Sequence, residues 1–120
     1  LKEAITQVDA KTDGYAAYFM INCAHPDHFE NVLSDDPWMH RLRGIVANAS
    51  RCSHAELDEA EELDDGDPVE LGQQLAKIRR RFPHISVLGG CCGTDMRHMS
   101  SIARTAKIAE ADLRCAKENR

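Results

Sequence analysis

The stretch "HISVLGGCCGTD", residues 84–95, joins an apolar run to a turn that contains three glycines and two adjacent cysteines. Residues 84–88 are predicted to form a buried β-strand, because the run is short, apolar and bounded by turn residues. The flanking glycines relax the backbone so that both sulfur atoms can turn towards one point. Cys91 and Cys92 therefore follow the end of a strand, which is where functional sites form in parallel α/β folds.

Amphipathic helices are predicted on both sides of this strand. Upstream, Asp67 can cap a helix, with Pro68 at its first position and an acidic residue in its first turn. Apolar residues then recur on one face of that helix: Leu71, Leu75, Ile78 and Phe82. Downstream, a long helix over about residues 96–117 is predicted from a second apolar stripe, formed by Met99, Ile102, Ala103, Ala106, Ala109 and Leu113.

Two more strands are predicted nearer the amino terminus. "YAAYFMIN" (residues 15–22) and "RGIVANAS" (residues 43–50) are short apolar runs of the kind that form buried strands. Between the second of these strands and Asp67, the acidic stretch 54–68 is predicted to be a surface loop because of its density of charge.

Two more helices are predicted from local patterns. The first ends near Gly14 and carries an apolar stripe formed by Leu1, Ile5 and Val8. The second covers roughly residues 28–34, because Asp27 and Glu30 have the spacing of a capping box. Helices therefore alternate with strands along the whole chain.

This alternation predicts an α/β fold made of parallel βα units with right-handed crossovers. Three such strands leave both edges of a sheet unpaired, and a complete (β/α)₈ barrel needs about 250 residues. We therefore predict that the 120 residues are the last three βα units of a TIM barrel. Alone, they are expected to associate through the exposed strand edges.

The composition excludes several classes of function. The formal net charge is −5, which argues against a general nucleic-acid surface because phosphate binding needs a basic face. No stretch approaches the roughly 20 apolar residues that a membrane helix needs. The five cysteines are odd in number and irregularly spaced, which disfavours a disulfide scaffold and favours a reducing compartment. We expect a cytoplasmic protein with no nucleic-acid or membrane partner.

Three thiols are predicted to meet at one edge of the sheet. Cys23 ends the first strand and Cys91 and Cys92 follow the third, and the carboxyl ends of parallel strands lie at the same edge. Zinc accepts thiolates in a tetrahedral shell, and three protein ligands leave a fourth position open, as in catalytic sites. From the residues alone a second interpretation stays open, in which Cys91 and Cys92 are small core residues of a tight turn.

Several motifs resemble those of the homocysteine S-methyltransferase family, whose members are zinc-dependent (β/α)₈ barrels. "MINCAHP" (residues 20–26) is similar to the asparagine–cysteine motif that ends the family's sixth strand. "VLGGCCGTD" (residues 87–95) is similar to the GGCC signature after its eighth strand, and "IVANAS" (residues 45–50) resembles its seventh. The resemblance implies that residues 1–120 are the carboxyl-terminal part of a homocysteine-binding barrel without its amino-terminal part.

The resemblance implies that Cys23, Cys91 and Cys92 bind Zn²⁺, with no catalytic residue beyond these ligands. Asn48 matches the asparagine of the seventh strand and is implied as a residue that supports a ligand or contacts substrate. It stands in Ala-Asn-Ala-Ser, where the family has proline-asparagine-x-glycine. Asn22 can orient a metal ligand or form an ordinary hydrogen bond at the strand end.

The implied reaction transfers a methyl group from a cationic donor to the zinc-bound thiolate of homocysteine and forms methionine. The donor is expected to be a sulfonium such as S-methylmethionine, which we favour, or a quaternary ammonium such as betaine. The partners are therefore homocysteine and a methyl donor, and the pathway is methionine biosynthesis. The 120 residues alone are expected to be inactive, because most of the barrel and the amino-acid pocket are missing.

Two other classes of function stay open at the level of the sequence. A small thiol protein, used for redox sensing or metal binding, would form a reversible disulfide between Cys91 and Cys92 and would not need Cys23. A non-catalytic α/β interaction module would carry inert cysteines and would tolerate the substitution of all three.

Overall fold

The computed structural model describes residues 1–52 and 64–118, and for residues 108–118 it describes the backbone alone. Most of the acidic stretch 54–68, which was predicted to be a loop, lies outside the described residues. The described helices and strands are, in chain order, α1 (Lys2–Thr12), β1 (Phe19–Ala24), β2 (Leu42–Ala47), α2 (Pro68–Arg81), β3 (Val87–Gly90) and α3 (Met96–Glu118). The predicted α/β class is confirmed.

The three strands form one parallel sheet in the order β1-β2-β3. Side chains on one face are buried under the helices, and Ile21, Ile45 and Leu88 form one row across that face. The next row, on the opposite face, is formed by Met20, Gly44 and Val87. Met20 is 38% exposed and Val87 is 42% exposed, so within the described residues this second face is open.

Helix α2 begins where its capping signals predict. The Asp67 carboxylate accepts hydrogen bonds from the backbone N–H groups of Val69 and Glu70, and Pro68 occupies the first helical position. The predicted apolar stripe is confirmed, because all four of its residues are buried: Leu71, Leu75, Ile78 and Phe82. The helix therefore covers the sheet through the face that its sequence predicts.

Helices α2 and α3 touch each other at a glycine. A Cβ atom on Gly72 would lie 2.4 Å from Ser101 Oγ and 2.9 Å from the Ser101 carbonyl oxygen, so only glycine allows this approach. The Thr105 hydroxyl donates to the Gly72 carbonyl at 3.0 Å beside this contact. Among the described side chains of the predicted α3 stripe, Ile102 is buried and Ala106 is half-buried, whereas Met99 is 38% exposed and Ala103 is also exposed.

The predicted helix over residues 28–34 is wrong. Two short 3₁₀ helices occupy this segment, Pro26–His28 and Glu30–Val32, and Phe29 separates them with φ −133°. The Asp27 carboxylate does not cap a helix because it accepts hydrogen bonds from Arg51 and Gln74. A third 3₁₀ helix, Pro37–Arg41, then leads into β2.

The strand boundaries also differ from the predicted ones. The first strand starts at Phe19 rather than at residue 15, and Tyr15 is 89% exposed. The carbonyl oxygens of Ala16 and Ala17 accept hydrogen bonds from the Arg41 guanidinium, so this segment is held by a side chain instead of a strand ladder. The second strand ends at Ala47 and the third runs over Val87–Gly90, rather than over 43–50 and 84–88.

Helix α1 is attached to the domain by one apolar side chain and one ion pair. Of its predicted stripe Ile5 is buried, whereas Leu1 and Val8 are exposed. Arg41 donates to both oxygens of the Asp9 carboxylate, at 2.8 and 3.0 Å. The helix ends with two left-handed residues, Asp13 at φ 56° and Gly14 at φ 69°, which agrees with a predicted end near Gly14.

Candidate metal centre

Cys23 is the extra residue of a bulge near the end of β1. The pairing with β2 passes from Asn22 opposite Val46 directly to Ala24 opposite Ala47, so Cys23 has no opposite residue. Its φ is 60°, a left-handed conformation that residues with a Cβ seldom adopt. The bulge turns the side chain out of the regular alternation of the strand and towards the turn that follows β3.

Cys91 and Cys92 lie in a tight turn between β3 and α3. The Cys91 N–H donates to the Ala47 carbonyl at 2.7 Å, and the Thr94 hydroxyl donates to the Cys91 carbonyl at 2.7 Å. A Cβ atom on Gly90 would lie 2.4 Å from Thr94 Oγ1, and Gly93 has φ 79°. Gly90 and Gly93 are therefore positions where the turn requires glycine, as the sequence predicts for the glycines that flank the cysteines.

The buried His98 side chain fixes the chain just after this turn. Its Nδ1 accepts the Asp95 N–H at 3.0 Å and its Nε2 donates to the Asp65 carbonyl at 2.6 Å, so the ring bridges two segments. The turn that carries the cysteines is thus held at its far end.

The three predicted thiols lie together. Cys91 Sγ is 2.9 Å from Cys23 Sγ, Cys23 Sγ is 3.5 Å from Cys92 Sγ, and all three sulfur atoms lie within 4.8 Å of one another. Tetrahedral zinc with 2.3 Å bonds separates its sulfur ligands by about 3.8 Å. The donor set therefore fits a thiophilic dication, around which the Cys23 and Cys91 sulfurs would move apart by about 0.9 Å. No disulfide joins these cysteines.

Access to the thiols is open from one side. The Cys92 side chain is exposed, and those of Cys23 and Cys91 are half-buried. The hydrogen bond to Cys23, with burial adding to it, raises the pKa of Cys91 to about 11. Without a cation the Cys91 thiol therefore keeps its proton at neutral pH, whereas coordination to a metal deprotonates a thiol outright.

The two candidate asparagines have different surroundings. Asn48 is 2% exposed, and its carboxamide hydrogen-bonds to the backbone of both cysteine segments. Asn22 is exposed on the open face of the sheet, in the row that also contains Val46 and Gly89. The structure therefore ties Asn48, but not Asn22, to the backbone of the cysteine segments.

Arg51 is a residue of this region that the sequence does not reveal. It pairs with Asp27, which follows the Cys23 segment, and with Glu70 in the first turn of α2. These partners are 24 and 19 residues away, so no local pattern signals the contact. The arginine holds the loop after β1 against the helix that covers the sheet.

Cys52 is separate from the three thiols. Its Sγ donates to the Asp64 carboxylate at 3.6 Å, and its N–H donates to the Ser50 hydroxyl at 3.0 Å. His54, which stands near it in the sequence, lies outside the described residues. Cys52 lies in the loop that follows β2 and offers an internal control for the other cysteines.

Comparisons with known proteins identify the family. The family model described as homocysteine S-methyltransferase matches residues 1–106, which is most of the chain. The chain therefore belongs to the homocysteine S-methyltransferase family, as its motifs predict. The comparisons with curated proteins and with solved structures each gave no match. Among the described helices, none has the length and apolar character needed to cross a membrane.

Proposed function

We propose that this chain provides the zinc-binding end of a homocysteine S-methyltransferase. One observation carries the proposal: sulfur atoms from two motifs 68 residues apart, Cys23 and Cys91, approach to 2.9 Å, and Cys92 joins them. Two thiols in a turn are common as core residues, but a third thiol brought there by a strained bulge calls for a shared ligand. Membership of the family supports the same reaction.

The architecture that we propose is the last three βα units of a (β/α)₈ barrel. The parallel strands follow one another in chain order, and the described helices bury one face of the sheet while the other stays open. In a barrel the open face would point inward, and earlier strands would bring the groups that hold the amino acid. We therefore expect the 120 residues alone to bind metal without catalysing methyl transfer.

In this proposal the protein supplies a binding site and the substrates supply the reacting bonds. Cys23, Cys91 and Cys92 hold the ion, and their exposed side admits homocysteine. When bound, zinc supplies the Lewis acidity that keeps a substrate thiol deprotonated at neutral pH. The homocysteine thiolate attacks the methyl carbon of the donor and forms the new carbon–sulfur bond. The donor's bond to that carbon breaks, and the electron pair stays on the donor.

The donor that we propose is a cation, either a sulfonium such as S-methylmethionine or a quaternary ammonium such as betaine. A cationic leaving group departs as a neutral molecule, so the transfer destroys charge rather than separating it. Methionine, the product, is a neutral thioether and a weaker metal ligand than a thiolate, which favours its release. We also propose a reducing cytoplasmic compartment, because no disulfide joins the three cysteines and the exposed thiol of Cys92 is open to oxidation.

The test combines metal analysis of the 120-residue chain with a methylation assay on a longer protein in which these residues complete the barrel. We expect one zinc per chain, and methionine formation by the complete barrel with S-methylmethionine or betaine, and we expect Cys91→Ser to lose both. Cys52→Ser is the matched control, because this cysteine lies in the same domain but outside the trio. Retention of zinc by Cys91→Ser, or loss of zinc from Cys52→Ser, would contradict the proposed ligand set.

The redox alternative makes different use of the same residues. A disulfide between Cys91 and Cys92 needs no third thiol, yet Cys23 lies against both of them. Mass spectrometry after mild oxidation, on the metal-free chain and on the chain loaded with zinc, separates the two functions. The redox alternative requires a reversible Cys91–Cys92 disulfide that forms equally well in Cys23→Ser, whereas our proposal predicts that bound zinc protects all three thiols.

A further inference from the structure

We infer that Asn48 is a positioning residue, whose carboxamide holds the two cysteine segments together so that the three sulfurs converge before an ion is bound. The inference deepens the proposed metal site and rests on it for its role in function. Asn48 does not need to touch the ion or a substrate for this role. It acts through the backbone of Cys23 and Cys92.

The geometry uses both ends of one side chain. Asn48 Nδ2 donates to the Cys23 carbonyl at 2.9 Å, and Asn48 Oδ1 accepts the Cys92 N–H at 3.2 Å. These two partners belong to motifs at opposite ends of the chain, and the carboxamide spans the gap between them. Asn48 is 2% exposed, so water cannot readily replace either hydrogen bond.

The backbone at residues 48 and 49 also hydrogen-bonds to both of these segments. The Asn48 N–H donates to the Ala24 carbonyl at 3.1 Å, and the Ala49 N–H donates to the Cys92 carbonyl at 3.0 Å. Residues 48 and 49 therefore extend the middle strand's contacts beyond its end, one towards each cysteine segment. The side chain adds two more hydrogen bonds, to the backbone of Cys23 and of Cys92 themselves.

The Cys23 contact matters most because of the conformation of that residue. Cys23 lies outside the strand register, with φ 60°, and such a conformation persists only where its surroundings hold it in place. Asn48 Nδ2 supplies a donor to its displaced carbonyl. If this donor is removed, the bulge is free to relax, and the Cys23 sulfur moves with the backbone away from Cys91.

Asparagine is the residue that meets both requirements at this length. The site needs one donor and one acceptor on a short planar group, and a carboxamide provides both. Aspartate keeps the acceptor for the Cys92 N–H, but presents a second oxygen to the Cys23 carbonyl. Alanine removes both hydrogen bonds. The two substitutions therefore separate the contribution of the Cys23 contact from the contribution of the pair.

The experiment uses the full chain and the variants Asn48→Ala, Asn48→Asp and Ser50→Ala. Ser50 is the matched control, because it is equally buried two residues away and hydrogen-bonds to Asp64 and to the Cys52 N–H, but not to the backbone of Cys23 or Cys92. Two probes report on the thiols. Co²⁺ gives a thiolate charge-transfer absorption that reports bound sulfur. Arsenite, a neutral molecule, releases three waters as it binds three convergent thiols and does not respond to an added charge.

We expect Asn48→Ala to weaken Co²⁺ and arsenite binding roughly 10- to 100-fold, the usual effect of losing a group that orients metal ligands. Its charge-transfer absorption should fall at saturating Co²⁺. Asn48→Asp should weaken arsenite binding, and it serves as the second variant if Asn48→Ala fails to fold by circular dichroism. Ser50→Ala should lower the unfolding temperature and leave both affinities unchanged.

Three results decide the matter. Wild-type affinities in both Asn48 variants overturn the inference. Equal losses of affinity in the Asn48 variants and in Ser50→Ala also overturn it, because the effect is then general destabilisation. If wild type binds arsenite but not Co²⁺ or zinc, the proposed function fails, while weaker arsenite binding by the Asn48 variants still supports the inference.

Discussion

At the scale of single residues, the site depends on one unfavourable backbone conformation. A left-handed φ costs a residue with a Cβ atom about 1–2 kcal/mol, and Cys23 accepts this cost at φ 60°. Asn48, the residue that follows β2, holds it there, since its side chain donates to the Cys23 carbonyl and its backbone N–H donates to that of Ala24. Strain of this kind is tolerated where it aims a functional side chain.

The strain at Cys23 is testable by comparing glycine with alanine. Glycine adopts a left-handed φ freely, so we expect Cys23→Gly to be about 1 kcal/mol more stable than Cys23→Ala. Urea unfolding of the metal-free variants measures the difference. At the adjacent strand residue Ala24, where φ is negative, the order should reverse and Ala24→Gly should destabilise by roughly 0.5–1 kcal/mol. Equal stabilities of the two Cys23 variants would exclude strain at this residue.

The convergence of the thiols was predictable from the sequence, but its mechanism was not. The positions of Cys23 and Cys91 at strand ends follow from local apolar runs, and parallel strands bring such ends together. The bulge at Cys23 depends on the register of β1 against β2, which no local pattern encodes. The bridging role of Asn48 depends on the same register, so the sequence places it at a strand end without revealing its two contacts.

At the scale of elements, signals that act within one turn predicted the structure well. Asp67 and Pro68 start α2 as expected because a cap needs only the next three residues. The pair Asp27 and Glu30 has the same local signal but fails, since Arg51 takes the Asp27 carboxylate from a distant loop. Where a remote group competes for the capping side chain, a local pattern cannot predict the outcome.

The cap of α2 should contribute measurably to stability. Asp67→Ala removes an acceptor for two backbone N–H groups, and we expect it to lower the free energy of unfolding by about 1 kcal/mol. Asp67→Asn keeps a capping oxygen at the same position and should retain most of that stability. Urea denaturation of both variants checks the prediction. A loss in Asp67→Asn as large as in Asp67→Ala would point to charge rather than capping.

The close contact between α2 and α3 should make Gly72→Ala destabilising, whereas helix propensity alone would make it stabilising. Alanine favours an exposed helix over glycine by up to about 1 kcal/mol. At Gly72, however, the new Cβ would meet the backbone of Ser101, which cannot rotate away. We expect Gly72→Ala to destabilise by about 1–3 kcal/mol through overpacking. Gln73→Ala, at the neighbouring exposed position, should change the unfolding temperature little, and a stabilised Gly72→Ala would disprove the close packing.

At the scale of the whole molecule, the open face of the sheet should govern association, and the ion-paired aspartates should govern stability at low pH. Met20 and Val87 lie exposed on a face that the described helices do not cover, and β1 and β3 each have a free edge within the described residues. The predicted association of the 120-residue chain through these edges stays a prediction, which sedimentation velocity checks. In the barrel that we propose, neighbouring strands would pair with these edges, and the open face would point into the barrel interior.

Acid sensitivity follows from carboxylates that are stabilised as anions in the folded chain. The folded structure lowers the pKa of five aspartates: Asp9, Asp27, Asp64, Asp65 and Asp95. A hydrogen bond from an arginine is the main cause for four of them, and a hydrogen bond from Ser50 is the main cause for Asp64. In each case the charged form is favoured by folding.

The sign of the pH dependence is therefore fixed. Unfolded aspartates titrate near pKa 3.8, so above that value both states are ionised and the stabilisation is fully present. As the pH falls through 3.8 towards the lower folded pKa values, the unfolded chain binds more protons and stability is lost. We expect the unfolding temperature to be nearly flat above about pH 5 as far as these groups are concerned, and to fall steeply below pH 4.

A double variant isolates this effect from general acid denaturation. Asp9→Asn with Asp95→Asn removes two of the shifted carboxyls, so the variant should unfold at a lower temperature than wild type at pH 6 but lose less on acidification. The two unfolding temperatures should thus converge between pH 6 and pH 3. Asp35→Asn, which removes an exposed carboxylate outside the described ion pairs, should follow the wild-type curve. The slope of stability against pH changes only where the folded and unfolded states differ in proton binding. Parallel curves of unfolding temperature against pH for wild type and the double variant would therefore mean that the ion pairs of Arg41 and Arg97 contribute nothing to stability in solution.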